Sequence, residues 1–144
     1  MQRTDPYGAY RFVVEIDDLP VAAFAEVSGL DFEVDVIEYR DGNDKESTVR
    51  KIPGLRKYGN VILKRGVIAS DEFWEWIVQA LDGPVAKRNC TISILDEENQ
   101  PVVRWGCVNA WPCKYEGPAL NATGNEVAIE TVELAHEGLR LIGP

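Results

Sequence analysis

Apolar and polar residues alternate with a period of two in several short runs, the pattern of strands that bury one face. Residues 10–16, the run around residue 34 and residues 61–68 all show it. Their apolar positions are Phe12, Val14 and Ile16 in the first run, Phe32, Val34 and Val36 in the second, and Val61, Leu63 and Val67 in the third. In the second run, Glu33 and Asp35 take the opposite face. We therefore predict three half-buried strands.

A helical period replaces this alternation in the middle of the chain. Phe73, Ile77 and Leu81 recur at intervals of four, which predicts one apolar helix face packed on a sheet. Ser70 can cap the helix at its start, and the Gly-Pro pair at 83–84 ends it. Trp76 lies off this stripe, so we interpret it as a candidate contact for a partner.

The remaining segments predict a hairpin, a loop and a final strand. Residues 90–95 and 102–108 flank the turn 96–100, which lacks glycine and favours a longer loop around a type I turn. Two prolines and several Gly and Asn residues predict a shaped loop over 111–125. Residues 126–135 then form the longest predicted strand. Its faces carry Val127, Ile129, Thr131 and Glu133 on one side, and Ala128, Glu130, Val132 and Leu134 on the other. Neither face is cleanly apolar, so we expect protein to cover parts of both.

These elements add up to a mainly β fold with one α-helix, in a single domain over residues 1–144. The net charge of −9, from 15 Lys and Arg against 24 Asp and Glu, argues against specific nucleic-acid binding and against a direct membrane anchor. No apolar run could span a bilayer, and the first residues lack the apolar core of a signal peptide, so assembly in the cytoplasm is expected. Three cysteines without a CxxC pair favour reduced thiols.

Charge is distributed unevenly along the chain. The polar segment 40–50 is either a solvated loop or a hairpin tip that contacts a neighbour. The following stretch, 51–65, is the most basic and could meet the acidic surface of another copy or simply solubilise a strand. Its cations are Lys51, Arg56, Lys57, Lys64 and Arg65.

The sequence gives little support for catalysis or for metal binding. The single histidine, His136, follows the last predicted strand, where a structural role is the commoner one. Cys107, Cys113 and His136 match no zinc-site spacing, and no phosphate-binding glycine motif occurs. We therefore predict no catalytic residue, no metal, no cofactor and no enzymatic activity.

Four phrases in this order carry a resemblance to a known family: DPYGAYRFVVEIDDLPVAAFAEVSGL, VIEYRDGND, RKIPGLRKYGNVILKRGVIASDEFWEW and NAWPCKYEGPALNATGNEVAIETVELAHEGL. The chain resembles the tail tube proteins of contractile-tailed phages and the inner-tube proteins of extracellular contractile injection systems. The resemblance implies a β-sandwich or barrel-like subunit that joins a continuous β-barrel in a hexameric ring. Stacked rings would form a hollow conduit for DNA or effector delivery.

The same resemblance implies partners and surfaces. The partners are other copies of the chain, a contractile sheath protein, baseplate or tube-initiator and terminator proteins, and cargo DNA or effector in the lumen of a phage tail or released particle. It also favours a neighbour contact for the 40–50 segment. The candidate subunit contacts are Arg40, Asp41, Asn43, Lys51, Arg56, Lys57 and Trp76, and the candidate lumen acids are Glu33, Asp35, Glu130 and Glu133. The alternative function is a monomeric β-sandwich ligand-binding module that uses Trp105 and Trp111.

Overall fold

The computed structural model describes residues 5–19, 23–40, 42, 49–67 and 72–143. Within these residues the chain forms nine strands and one helix. The strands are β1 (Phe12–Ile16), β2 (Glu26–Ser28), β3 (Phe32–Tyr39), β4 (Arg50–Tyr58), β5 (Val61–Gly66), β6 (Arg88–Leu95), β7 (Pro101–Glu116), β8 (Ile129–Ala135) and β9 (Gly138–Ile142), and the helix is α1 (Glu72–Gln79). The mainly β fold with one helix is confirmed, with more strands than the roughly six that the sequence pattern indicates.

Seven strands form one open antiparallel sheet in the order β1-β6-β7-β8-β5-β2, with β9 also paired to β7. The strand β7 joins its two parts, because its first half pairs with β6 and β9 and its second half pairs with β8. A single core cluster draws on both parts and on α1, from Val14 on β1 and Ile92 on β6 to Leu63 on β5 and Leu134 on β8. The sheet therefore folds over a shared core that the helix closes.

The helix buries a different stripe from the predicted one. Phe73, Trp76 and Ile77 are buried, whereas Leu81 is 82% exposed. Successive i→i+3 hydrogen bonds, including Leu81 N–H to Val78 O at 3.1 Å, tighten the chain after Gln79. A turn with i→i+3 hydrogen bonds has about three residues per turn, whereas an α-helix has 3.6, so Leu81 is rotated away from the core.

Trp76 is 1% exposed, and its Nε1–H donates to the carbonyl oxygen of Ala86 at 2.6 Å. The prediction that Trp76 contacts a partner is therefore wrong for this protomer. A buried indole with its N–H satisfied behaves as a core residue.

Residues 111–116 belong to β7, so the predicted loop over 111–125 is wrong in its first part. Pro112 is tolerated there because the β7–β8 register shifts between Pro112 and Lys114, and a bulge leaves room for a residue without an N–H. The chain is irregular after Glu116, and the last predicted strand begins at Ile129 instead of residue 126. The predicted hairpin around 96–100 is present, with Asn99 N–H donating to Asp96 O at 3.0 Å.

The strands β3 and β4 form a separate two-stranded sheet, which we call the arm. The arm continues β2 and β5 beyond a bend, where Gly29 has φ +84° and a Cβ at that position would lie 2.0 Å from the carbonyl oxygen of Asn60. Only glycine allows this close approach of the two chains. Among the described strands, β3 and β4 pair only with each other, so the arm projects from the main sheet.

Candidate assembly surfaces

The arm exposes apolar side chains on both of its faces. The prediction that Phe32, Val34 and Val36 are half-buried is wrong in the protomer, where their exposures are 65%, 39% and 62%. Cross-strand register places Ile37 opposite Ile52 on the other face, and both are also exposed. The alternation predicts the shared face correctly, but no described part of the chain covers these apolar residues. Two contiguous apolar faces on one hairpin are typical of a surface that another chain buries.

Several charges on the arm are matched by acids of the same arm. Register sets Glu33 opposite Lys57 and Glu38 opposite Lys51, and Lys57 Nζ lies 3.2 Å from Asp35 Oδ1. Arg56 of β4 lies opposite Val34 instead.

The predicted contact residues fall mostly on or beside this arm. Lys51, Arg56 and Lys57 are exposed on β4, and Arg40 is exposed just after β3. Asp41 and Asn43 lie outside the described residues. The sequence patterns missed Ile37, Ile52 and Leu55, which are exposed apolar residues of the same arm.

The outer face of the main sheet carries mixed charge. Lys64 on β5 pairs with Glu26 on β2 at 3.0 Å, and Lys114 on β7 pairs with Glu116 on the same strand at 2.9 Å. Glu133 of β8 lines the same shallow depression as Lys64 and Lys114. Of the four predicted lumen acids, Glu133 lies on this face, while Glu33 and Asp35 lie on the arm.

Glu130 is 4% exposed and lies on the core side of the sheet, so its prediction as a lumen acid is wrong. Its Oε1 pairs with Nε of the equally buried Arg65 at 2.5 Å, and its Oε2 accepts a hydrogen bond from the Tyr115 hydroxyl at 2.7 Å. The Arg65 guanidinium also lies 4.6 Å from the centre of the Phe73 ring. Arg65 is thus withdrawn from the predicted basic surface, because a buried carboxylate needs a buried cation beside it.

We expect replacement of Tyr115 by Phe to change the alkaline stability profile. The pKa of Tyr115 is raised to about 12, mainly by burial and secondly by the hydrogen bond to Glu130. The folded state therefore keeps the phenol proton that the unfolded chain loses near pH 10, so this stabilisation is complete below about pH 10 and is lost as the pH rises toward 12. Urea unfolding at several pH values should show a shallower alkaline decline for Tyr115→Phe than for the wild type. Parallel curves would contradict this linkage.

Among the described strands, β1 and β9 each pair with one strand only, and the other part of the main sheet ends in two further open edges. On one side β2 pairs with β5 alone, and on the other the second half of β7 pairs with β8 alone, because β6 and β9 reach no further than Ala110. Four strands, in the order β2-β5-β8-β7, thus form a segment with an unpaired edge at each end. Unpaired edges of this kind are templates for pairing with another chain.

Two of the three cysteines are buried, and the histidine ring contacts two backbone carbonyl groups. Burial raises the pKa of the Cys107 thiol to about 11 and also raises that of Cys90, so both remain protonated and poorly nucleophilic. His136 Nε2 lies 2.9 Å from Gly59 O, and Nδ1 lies 3.0 Å from Gly138 O, which ties the base of the arm to the β8–β9 turn. In the described part of the chain, no group of three or more His, Cys, Asp or Glu residues could hold a metal ion.

Nor does any helix among the described residues have the length and apolar character needed to cross a bilayer.

Comparison with known proteins identifies relatives along almost the whole chain. The family described as T4-like virus tail tube protein gp19 matches residues 8–140. A chain in the cryo-EM structure of the PVC sheath-tube complex, an extracellular contractile injection system in its extended state, is 31% identical, with 98% of this chain and 94% of that chain covered and a TM-score of 0.87. A chain in the cryo-EM structure of the anti-feeding prophage tube-terminating cap is 32% identical, with 100% and 95% covered and a TM-score of 0.88.

A more distant structure shares the fold. Hcp1 from Flavobacterium johnsoniae is 12% identical, with 94% of this chain and 97% of that chain covered and a TM-score of 0.55. No curated protein sequence matches the chain significantly.

Proposed function

The chain belongs to the T4-like virus tail tube protein gp19 family and is a structural tube protein, and on that premise we propose that it assembles into stacked hexameric rings forming the inner tube of a contractile injection system or phage tail. The exposed apolar arm is the observation that carries this proposal. Burying such a surface is the dominant favourable term in protein association, at about 25 cal/mol per Å² of apolar area. One domain, residues 1–144, supplies each subunit.

Ring closure follows from the two open edges of the four-strand segment. If β2 of one subunit pairs with the second half of β7 of the next, the segments join into one continuous barrel. Closure removes both free edges of the four-strand segment, which no single subunit can achieve. Six copies complete the ring in this proposal.

The mixed-charge outer face of the same segment is the proposed wall of the lumen. Lys64 and Lys114 alternate there with Glu26, Glu116 and Glu133, so the wall carries paired charges of both signs. This differs from a wall of carboxylates, which would repel an anionic cargo throughout. A surface of neighbouring opposite charges has a weak field a few ångströms away, so it neither traps nor repels strongly a DNA or protein cargo. Glu33 and Asp35 remain candidates for the lumen at the base of the arm.

The arm is the proposed contact between subunits, and Arg40, Lys51, Arg56 and Lys57 provide its charged rim. Exposed ion pairs contribute only about 0–1 kcal/mol each, so these cations orient neighbours and the apolar residues supply most of the affinity. Asp41 and Asn43, which lie outside the described residues, are proposed for the same contact.

The proposed partners follow the assemblies in which the relatives occur. A contractile sheath would surround the tube, as in the PVC sheath-tube complex, and a baseplate and a terminating cap would bound it, as in the anti-feeding prophage. The subunit would assemble in the cytoplasm before the particle is released. We propose no enzymatic role, cofactor or metal.

Electron microscopy of the purified chain tests the proposal. We expect rings or tubes of uniform diameter in negative-stain images, and a sedimentation coefficient well above that of a 16.1 kDa monomer. A stable monomer at all concentrations, together with a soluble ligand bound at Trp105 or Trp111, would instead support the ligand-binding module.

A further inference from the structure

Two arginines lie close together on β7 and β9, on the face of these strands that points away from the core. Register places Arg104 opposite Ile142, and Arg140 lies two residues earlier on β9, so the two arginines are diagonal neighbours. Diagonal neighbours on antiparallel strands are about 7–8 Å apart, within reach of long side chains. The opposite face of β7 carries Cys107, which belongs to the core. We call Arg104 and Arg140 the arginine pair.

The arginine pair has no acid beside it. In the described part of the chain, neither arginine takes part in an ion pair or a side-chain hydrogen bond, and the buried Nε–H of Arg104 has no acceptor. The acid that the strands β1, β6, β7 and β9 carry on this face is Glu15, in the same row as Arg140. Three strand spacings separate these two residues, which is about 14 Å and too far for an ion pair. The two like charges therefore lack a negative partner within the protomer.

An apolar side chain lies between the two arginines. Ile142 and Gly106 form the other diagonal of the same four residues, and a Cβ at Gly106 would lie 2.6 Å from Cδ1 of Ile142. The isoleucine side chain thus crosses the space above the glycine while remaining 44% exposed. Apolar atoms beside a guanidinium lower the local dielectric constant and strengthen an ion pair formed there. A protein segment, which has apolar atoms next to its carboxylates, matches this surface.

The arginine pair faces away from the proposed lumen. The proposed lumen wall is the outer face of the segment β2-β5-β8-β7, and the core cluster lies between that segment and the strands β1, β6 and β9. The face that carries the arginine pair is on the far side of the core, which is the outside of the proposed tube. Among the described strands β9 pairs with β7 alone, so a partner can approach from its open side.

We infer that the arginine pair binds a segment of a surrounding protein that carries two carboxylates, one for each guanidinium. The inference rests on the proposed function, in which the protein around the tube is the contractile sheath. A guanidinium matches a carboxylate in shape as well as in charge, which favours carboxylates among the groups of a protein partner. The net charge of −9 opposes the approach of a long polyanion such as DNA, whereas a short acidic segment needs only the local positive charge.

A fluorescently labelled hexaglutamate peptide is the probe for this site, and hexaglutamine is the matched peptide. Fluorescence anisotropy should show that hexaglutamate binds to the protomer and to assembled tubes, and that binding weakens as the NaCl concentration rises. Arg104→Gln and Arg140→Gln should each lower the affinity about threefold, and the double variant should lower it about tenfold. Arg140 is exposed, so Arg140→Gln keeps the test informative if Arg104→Gln folds poorly by circular dichroism.

Lys87→Gln is the matched control. It removes the same charge from an exposed side chain, but Glu137 already neutralises that charge, with Lys87 Nζ and Glu137 Oε1 2.9 Å apart. The affinity for hexaglutamate should therefore stay at the wild-type value. An equal loss in Lys87→Gln and Arg140→Gln would mean that the peptide responds to net charge alone, and it would overturn the inference.

The remaining outcomes separate the site from the assembly. Absence of hexaglutamate binding, or equal binding of hexaglutamine, would overturn the inference and leave the tube proposal intact. Tighter binding of single-stranded DNA that is lost in the same arginine variants would overturn the assignment to an acidic protein segment. Binding to the protomer that disappears in tubes would overturn the placement of the arginine pair on the outside. Absence of tubes would contradict the proposed function itself, whereas the site would still be tested on the protomer.

Discussion

Replacing Glu130 by Ala is expected to lower the free energy of unfolding by about 3–5 kcal/mol, because it leaves the Arg65 guanidinium buried without its carboxylate. Both side chains are at most 4% exposed, and the pair is linked at 2.5 Å. The Tyr115 hydroxyl loses its acceptor in the same variant. Denaturant unfolding of the isolated protomer, followed by circular dichroism under conditions that prevent assembly, measures this loss.

Glu133→Ala is the control, because Glu133 lies on the same strand with its side chain on the outer face. It should change stability by no more than about 0.5 kcal/mol. The double variant Arg65→Leu with Glu130→Leu should recover much of the loss, since two apolar residues can replace a buried ion pair at little cost. A Glu130→Ala variant as stable as the wild type would show that the cluster is hydrated and not part of the core.

Replacing Val36 by Asp should abolish tube formation and leave the protomer folded. Val36 is 62% exposed in the protomer, so an Asp there should change its stability by only about 0.5 kcal/mol. Burying a valine between subunits stabilises the contact by about 1.5–3 kcal/mol, and a buried unpaired carboxylate would cost more than that. Since about 1.4 kcal/mol is a factor of ten, the assembled fraction should fall at least tenfold at equal protein concentration.

Val36→Thr is the matched variant, because it keeps the β-branched shape while adding one hydroxyl. Its tubes should form at a higher critical concentration than the wild type but should still form. Sedimentation of assembled material, with circular dichroism as the test of folding, distinguishes the two effects. Normal tube yield from folded Val36→Asp would show that this face of the arm stays exposed in the assembly.

The period-two pattern located β1, β3 and β5 and decided which of their side chains share a face, but it did not find β2, β4 or β9. In β1 it identified Val14 and Ile16 as core residues, and they are buried. In β3 the same pattern gave the right face for Phe32, Val34 and Val36 but the wrong burial. Periodicity reports that a face is apolar, and it carries no information on whether the same chain or another copy covers that face.

Two other errors have different causes, one local and one tertiary. The prediction of the helical stripe assumes 3.6 residues per turn as far as Leu81, whereas the α-helix ends at Gln79. Trp76 is therefore buried, and Leu81 is exposed. Glu130 does share a face with Val132 and Leu134, but its prediction as a lumen acid is wrong. It is buried as the partner of Arg65, which is 65 residues away in the sequence. Pairing at that separation is a tertiary fact, because no local pattern links the two residues.

The resemblance to tube proteins supplied what local patterns could not, namely the family that residues 8–140 match. The contact surfaces still had to be located in three dimensions. The apolar patch on the arm becomes visible only once register places Ile37 opposite Ile52. This juxtaposition cannot be derived from the separate segments of sequence.

A high-resolution cryo-EM map of tubes assembled from this chain tests the central claim most directly. We predict continuous backbone hydrogen bonding between β2 (Glu26–Ser28) of one subunit and the second half of β7 of the next, so that the four-strand segments close into a single barrel with Lys64, Lys114 and Glu133 facing the lumen. Rings in which the sheets remain separate and neighbouring subunits touch only through side chains would contradict this account.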